Sequence, residues 1–237
     1  MAVLCMQLAA PVQSWGLGDD FDNRGTKSEP TKSGVLGILC AALGLPRDEM
    51  PEHLVNLSMG VRVDREGVPI EDLQVVGGGN LPDGSPYGVH YANGVKLTKN
   101  NAQKRTVFRH KLYLCDAVFF VCLEDRRPNG VRHLTELLDA LDRPHYPLTL
   151  GRRNCLPSRP IGLYVDKRDM EVVLEEHPWI AERRNAIAPD ELRLIEETTP
   201  SMGDRRVDQP VVGNKREFGV RFIRESFIQT PEEHACY

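Results

Sequence analysis

The stretch from Pro30 to Gly44, PTKSGVLGILCAALG, decides the fold class of this chain. Thr31 or Ser33 supplies a hydroxyl suited to cap the start of a helix, and Gly44 followed by Pro46 is typical of a helix end. Between these signals the residues are apolar on nearly every face. The pattern therefore predicts a helix buried in the core rather than one that lies half-exposed on the surface.

Apolar segments on both sides of this helix repeat the order strand, helix, strand. Ala2 to Leu8 is short and apolar with almost no alternation, as in a buried strand, and Val131 to Leu141 carries its leucines on one helical face. Two such units predict an α+β protein with a ferredoxin-like, or RRM-like, layer. The predicted strands are 2–8, 60–64, 73–76, 113–123 and 161–165, and the predicted helices are 30–44, 48–58 and 131–141.

A long glycine-rich and basic excursion separates the two units, from Gly77 to about Arg109. Loops of this length in a domain are usually functional. No Asp or Glu occurs between Gly84 and Cys115. That stretch holds Lys96, Lys99, Lys104, Arg105, Arg109 and Lys111, together with the aromatic residues Tyr87, Tyr91 and Phe108. Cations interleaved with aromatic rings predict a surface that follows a nucleic-acid backbone and stacks its bases, and the alternative is a solvated hairpin.

The C-terminal part has a weaker pattern. We expect a domain over 1–168, with the excursion of about 77–110 inserted in it, and a small β-rich extension over 169–237. Short apolar runs at 170–174, 192–195 and 218–223 are the candidate strands of that extension. Acidic residues concentrate in its first part, from Asp169 to Glu197.

Composition excludes several classes of protein. The 237 residues are 41% apolar and 27% charged, which is typical of a soluble globular protein, and no apolar run is long enough to span a membrane. Six cysteines without a C-x-x-C pair predict a reduced, cytoplasmic protein, and neither they nor the seven histidines show metal-ligand spacing. We expect no metal and no cofactor. The net charge of −4 is unevenly spread, so a basic face can exist on an acidic molecule.

Three short motifs suggest contacts with phosphates or bases. Thr31-Lys32-Ser33-Gly34 begins the buried helix, where unpaired N–H groups, a lysine and hydroxyls could bind a phosphate, although ordinary capping explains the same residues. It is not a P-loop, because Thr31 stands where that motif has glycine. Trp15, in a polar loop, could stack on a base or cover the rim of the core. The adjacent Arg152 and Arg153 suit phosphate binding.

A catalytic alternative rests on His110 and Lys111. With Tyr87 and Tyr91 in the same excursion, they could move protons during metal-independent RNA cleavage. No Ser-His-Asp or G-x-S-x-G signature supports another hydrolytic mechanism. Three functions remain open: noncatalytic RNA binding, RNA cleavage that uses His110, and a protein–protein adaptor whose basic stretches face an acidic partner.

Taken together in this order, the motifs resemble the CasD family of type I-E Cascade, the CRISPR surveillance complex. The resemblance covers roughly residues 1 to 165. The motifs that carry it are LAAPVQSWG (8–16), Arg24, PTKSGVLG (30–37), ALG (42–44), YLCDA (113–117) and LGRRNC (150–155).

The resemblance implies an RRM-like fold of the RAMP type, in which the excursion forms a β-hairpin thumb. It implies a noncatalytic subunit that grips the 5′ handle of the CRISPR guide RNA, caps the CasC backbone filament, contacts the large CasA subunit and meets target DNA only through the complex. Precursor RNA is cleaved by a separate subunit in type I-E systems, whereas the type I-C relative is itself the nuclease. The implied RNA-binding residues are Trp15, Arg24, Thr31, Lys32, Ser33, Gly34, Arg105, Arg109, Tyr146, Gly151, Arg152 and Arg153.

Overall fold

Thirteen strands and four helices make up the described part of the chain in a computed structural model. The structure describes residues 1–16, 23–46, 49–77, 79–85, 90–91, 94–95, 106–181, 187–212 and 217–231. The strands are β1 (Ala2–Ala9), β2 (Val12–Gln13), β3 (Asn23–Arg24), β4 (Ser58–Arg65), β5 (Val68–Gly77), β6 (His90–Tyr91), β7 (Gly94–Val95), β8 (Thr106–Cys115), β9 (Val118–Asp125), β10 (Gly162–Asp166), β11 (Glu191–Thr198), β12 (Asp204–Pro210) and β13 (Phe218–Gln229). The helices are α1 (Lys32–Leu43), α2 (Glu52–Val55), α3 (Gly130–Asp142) and α4 (Met170–Glu176).

Seven strands form one antiparallel sheet in the order β10-β1-β9-β4-β11-β13-β12. β1 and β9 lie at its centre and are buried on both faces, which explains why their sequences are apolar without alternation. α1 and α3 pack on one face against alternate residues such as Leu4, Met6 and Phe119. The fold is thus a mixed α/β architecture with antiparallel sheets.

The helix predicted from the opening stretch is confirmed. Thr31 is the N-cap residue of α1 and its Oγ1 accepts a hydrogen bond from the Gly34 N–H. Gly44, with a φ of 73°, ends the helix in the left-handed conformation that favours glycine. α3 is confirmed as well, whereas the predicted helix at 48–58 forms only as the single turn α2.

The opposite face of the sheet is covered by α4, where the sequence predicted a strand at 170–174. That prediction was wrong. Met170, Val173 and Leu174 are spaced three and four residues apart, which is a helical period, and they pack on Cys5 and Phe120. Seven residues are too few for the period to stand out from a short apolar run.

A second sheet carries the hairpin of β5 and β8, with β2 and β3 on the other edge of β8. The single strand predicted over 113–123 is two strands in two sheets, because Asp116 has a φ of 64° and breaks the extended backbone. Pairing in the hairpin extends from Val68 and Cys115 to Gly77 and Thr106, so the hairpin begins nine residues before the predicted excursion. Much of the predicted thumb over 77–110 lies outside the described residues.

The C-terminal segment extends the large sheet. β11 pairs with β4 and with β13, and β13 pairs with β12 at the sheet edge. The strands expected at 192–195 and 218–223 are confirmed within β11 and β13, and β12 was missed because DRRVDQP has little apolar character. The boundary at residue 168 stays a prediction.

Three further features of the described residues bear on chemistry. None of the described helices has the length and apolar character that crossing a membrane requires. Over the same residues, no group of three or more His, Cys, Asp and Glu side chains is arranged to hold a metal ion. Cys5, Cys40, Cys115, Cys122 and Cys155 are free thiols.

A buried ion pair connects α4 and the segment after it to the sheet. The Arg62 guanidinium and the Asp64 carboxylate on β4 are both completely buried, with Nε–Oδ1 at 2.7 Å. Arg62 also donates to the carbonyl oxygens of Leu174 and Pro178, and Asp64 accepts from the Ile180 N–H. All three guanidinium nitrogens of Arg62 and both carboxylate oxygens of Asp64 thus have hydrogen-bond partners inside the protein.

We expect Asp64→Asn to lower the free energy of unfolding by about 3–5 kcal/mol, because it leaves the buried Arg62 charge without its carboxylate. Glu136→Gln is the matched control, since the Arg132–Glu136 pair lies exposed on α3 and is worth about 0.5 kcal/mol or less. Urea unfolding of both variants measures the difference. Equal midpoints would show that the buried pair does not stabilise this fold.

Candidate nucleic-acid interface

Three of the predicted site residues, Arg24, Gly151 and Arg152, meet where the small sheet approaches the segment that follows α3. We call residues Leu150–Cys155 the arginine loop. The Leu150 N–H donates to the Cys155 carbonyl oxygen (2.7 Å), and the Cys155 N–H donates to the Arg152 carbonyl oxygen (2.9 Å). Leu150 and Cys155 are completely buried, whereas Arg153 at the tip is exposed. Two buried ends thus hold a short loop whose tip reaches solvent.

Gly151 allows this loop to lie directly on the backbone after β2. Its φ is 100°, and a Cβ there would overlap the carbonyl oxygen of Ser14. The Ser14 N–H donates to the Leu150 carbonyl oxygen at 3.1 Å. Only glycine satisfies both the conformation and the close approach, so the function of Gly151 in the described structure is backbone packing.

Arg152 turns inward from this loop. Its Nη1 donates to the Leu112 carbonyl oxygen (3.0 Å), and its Nη2 donates to the carbonyl oxygens of Arg24 (2.9 Å) and Gly25 (3.4 Å). Its guanidinium carbon lies 4.5 Å from the centroid of the Tyr113 ring, within cation–π distance. Arg152 therefore bridges the arginine loop, β8 and the end of β3.

Trp15 lies in the core, and the stacking predicted for it does not fit this position. The side chain is completely buried, its ring packs edge-to-face on Phe119 with centroids 6.5 Å apart, and its Nε1 donates to Gln13 Oε1. A Cβ on Gly34 would lie 3.0 Å from the ring, so glycine lets the first turn of α1 rest on the indole. The ring has no open face for a base.

The start of α1 is already occupied by a carboxylate of the same chain. The Lys32 N–H donates to Asp208 Oδ2 at 3.0 Å, and the Lys32 ammonium forms an ion pair with Glu197 at 2.9 Å. Arg221 pairs with both carboxylates. The Lys32 side chain is only 3% exposed, so the phosphate predicted at this position has no access to the helix start in this conformation.

Burial and charge oppose each other in this cluster. Burial lowers the pKa of the Lys32 ammonium, and the carboxylate of Glu197 opposes the change. Burial raises the pKa of Asp208, but hydrogen bonds and the charge of Arg221 outweigh it and the pKa is lowered. The positive charges of Lys32 and Arg221 balance the negative charges of Glu197 and Asp208, and buried charges require such partners.

Three other predicted residues lie on β3, on β8 and in the first turn of α1. Arg24 is exposed on β3, in register with Lys111 of β8, and Arg109 lies on β8 opposite Gln74 of the hairpin. Ser33 is half-buried in the first turn of α1. Arg105 lies outside the described residues.

Tyr146 lies at the other end of α1 from Lys32. Its ring is 49% exposed and rests edge-to-face on His145, and its N–H donates to the Ala41 carbonyl oxygen. Nine residues of helix separate Ala41 from Lys32, about 14 Å along the axis. The structure therefore does not bring Tyr146 and Lys32 into one site.

The two residues of the catalytic alternative that the structure describes, His110 and Lys111, do not converge. His110 and Lys111 are successive residues of β8, so their side chains point to opposite faces of the sheet. His110 Nδ1 contacts Glu71 across the hairpin, and Lys111 Nζ donates to Gln74 Oε1. Tyr87 and the side chain of Tyr91 lie outside what the structure describes.

Several residues that shape this interface were missed in the sequence. Tyr113 supplies the ring under Arg152, and its hydroxyl accepts a hydrogen bond from Asn154 Nδ2 at 3.2 Å. Asp208 and Glu197 are more than 160 residues from Lys32 in the chain. The motif YLCDA was a signal for Tyr113, but no local pattern indicated the two acids.

We expect Glu197→Gln to destabilise the protein more than Lys32→Met. The first change leaves a nearly inaccessible ammonium without its carboxylate and costs about 3 kcal/mol, whereas the second leaves Glu197 partly exposed and still paired with Arg221. Thermal unfolding of both variants checks the order, with Ser33→Ala as the control within about 0.5 kcal/mol of wild type. The reverse order would contradict this description of the charge cluster.

The comparisons with known proteins agree on one family. The chain matches the family described as CRISPR-associated protein (Cas_Cas5) over residues 3–224. A curated relative, CRISPR system Cascade subunit CasD of Escherichia coli (strain K12), is 32% identical over 162 residues, which cover 68% of this chain and 69% of that protein.

Two solved structures are similar over almost the whole chain. One is described as a crystal structure of Cas protein, with 33% identity and a TM-score of 0.69, and the match covers 97% of this chain and 98% of that one. The other is a chain of a CRISPR RNA-guided surveillance complex, with 29% identity, a TM-score of 0.76, and coverage of 97% and 91%. The resemblance to CasD inferred from the motifs is confirmed, and this chain belongs to the CRISPR-associated protein (Cas_Cas5) family.

Proposed function

We propose that this chain is the noncatalytic, CasD-type RNA-binding subunit of a type I-E Cascade complex. The observation that carries the proposal is the likeness, over 97% of the chain, to a subunit of a CRISPR RNA-guided surveillance complex. In this function the chain grips the 5′ handle of the guide RNA in the cytoplasm. Its proposed protein partners are the CasC backbone, which it caps, and the large CasA subunit, and it meets target DNA only through the complex.

The strand order supports the finer fold assignment that belongs to this proposal. Four strands of the large sheet, β1, β4, β9 and β10, lie in the order β10-β1-β9-β4 and are all antiparallel. α1 lies between the first two along the chain and α3 between the last two. This is the order β-α-β-β-α-β, so we assign the N-terminal part to the ferredoxin-like RAMP type, with the hairpin of β5 and β8 as the base of its thumb.

We divide the predicted RNA-binding residues other than Arg152 into two groups. Arg24, Arg153 and Tyr146 reach the surface, and they are the contacts we propose for phosphates and bases. We also propose Arg109 as a contact from the thumb, together with Arg105, which lies outside the described residues. The second group forms the framework beneath them and comprises Trp15, Thr31, Lys32, Ser33, Gly34 and Gly151.

Binding of a labelled 5′-handle RNA to the full chain, assembled with its Cascade partner subunits, should weaken steeply with salt. For single-stranded RNA each neutralised phosphate contributes about 0.7 to the slope of log K against log salt. We therefore expect Arg153→Ala to lower the slope by about 0.7, because it removes one exposed cation from the arginine loop.

The matched control is Arg132→Ala, which removes another exposed arginine, from α3, and should bind as wild type does. Absence of RNA binding by the wild-type assembly, or binding without salt dependence, would favour the protein–protein adaptor.

We expect no cleavage of repeat-derived precursor RNA by the purified chain, with or without a chelator. His110 is the candidate base of the alternative, and it faces Glu71 while Lys111 points to the other side of the sheet. Gel analysis of the RNA measures the outcome for wild type and His110→Ala. Cleavage by the wild type that disappears in His110→Ala would make this chain a processing endoribonuclease.

A further inference from the structure

We propose that Arg152 is the positioning residue of the RNA-binding surface: its guanidinium bridges β3, β8 and the arginine loop so that Arg24 and Arg153 face the RNA. This inference rests on the proposed function. It differs from the expectation that Arg152 itself binds the RNA. The two adjacent arginines of the loop then have separate functions, one inside the site and one on its surface.

The first argument is the hydrogen bonding of Arg152. Three of its possible hydrogen bonds go to main-chain carbonyl oxygens, those of Leu112, Arg24 and Gly25. The guanidinium also lies over the ring of Tyr113. A phosphate that bound Nη1 and Nη2 together would have to displace carbonyl groups, which would then lose their charged donor.

The second argument is the short pairing of β3. Its ladder with β8 consists of two residue pairs, Asn23 with His110 and Arg24 with Lys111. Arg152 accounts for two additional bonds to this strand end, from one nitrogen to two successive carbonyl oxygens. A planar fork can reach β3 and β8 together, whereas the ammonium of a lysine is a single point charge.

The third argument is the contrast with Arg153. Both residues lie between the buried anchors Leu150 and Cys155, yet Arg153 is exposed and Arg152 contacts backbone. The Gly151 contact with Ser14 holds the loop close to the sheet, which places the Arg152 side chain within reach of both strands. Loss of the bridge thus alters the position of Arg24 directly and that of Arg153 through the loop.

The test compares four variants in the full chain assembled with its partner subunits: Arg152→Lys, Arg152→Ala, Arg153→Lys and Arg153→Ala. The readout is the affinity for a labelled 5′-handle RNA across a salt series. A positioning role predicts that both Arg152 variants lose affinity equally, by about tenfold or more, because neither can form the fork. A charge contact at Arg153 predicts that Arg153→Lys binds more tightly than Arg153→Ala.

A second measurement needs no RNA. Amide hydrogen exchange should become faster in the segment 23–27 of Arg152→Lys, while the central strands β1 and β9 keep their protection. Arg153→Lys is the matched control and should show the wild-type exchange pattern in that segment. Unchanged exchange in Arg152→Lys would overturn the bridging role regardless of any RNA result.

The outcomes separate this inference from the proposed function. If the wild type binds RNA and Arg152→Lys binds as tightly, Arg152 is a charge contact and the inference is wrong, but the proposed function stands. If the wild type does not bind RNA, the proposed function fails and the positioning role fails with it. Equal losses in both Arg152 variants, combined with faster exchange at 23–27, support both.

Discussion

The buried indole of Trp15 is the contact on which the arrangement of the interface depends. Its ring lies under the first turn of α1 at Gly34 and against Phe119 of β9, and its backbone binds Thr26 and Lys27 on the far side of β3. Replacing a buried tryptophan by alanine typically costs about 3–5 kcal/mol, several times the net worth of one hydrogen bond. One residue therefore connects α1, the central sheet and the segment that follows β3, through its ring and its backbone.

This packing also explains why the start of α1 is not an anion site for an external ligand. The first turn is held down on the indole, and the Asp208 carboxylate from the edge strand β12 occupies the N–H group that a phosphate would use. The N-terminal end of a helix attracts any anion, and a carboxylate of the same chain binds there without the entropy loss of bringing two molecules together. The RNA-binding surface that we propose lies instead at Arg24 and the arginine loop.

Local patterns predicted the elements whose signals are local. The cap at Thr31, the stop at Gly44 and the period of α3 gave two helices close to their observed bounds. The break at Asp116 was missed, because a single Asp in an otherwise apolar run is only a weak signal of positive φ and does not show that the chain leaves one sheet for another. The function of Lys32 was not predictable either, since its partners come from strands that join the sheet far along the chain. The break at Asp116 and the contacts of Lys32 both depend on pairing between segments that are distant in the sequence.

A net charge of −4 is compatible with RNA binding, because the fold uses many of its acids internally. Asp64, Glu197 and Asp208 are each paired with buried cations. Because each pair is neutral as a whole, it contributes little to the electrostatic field outside the protein. Exposed arginines such as Arg153 act locally, because charges more than about 8 Å apart are largely screened at physiological salt. The sign of the charge at the proposed RNA-binding surface therefore depends on which side chains the packing leaves exposed there. The net charge of the whole sequence does not determine it.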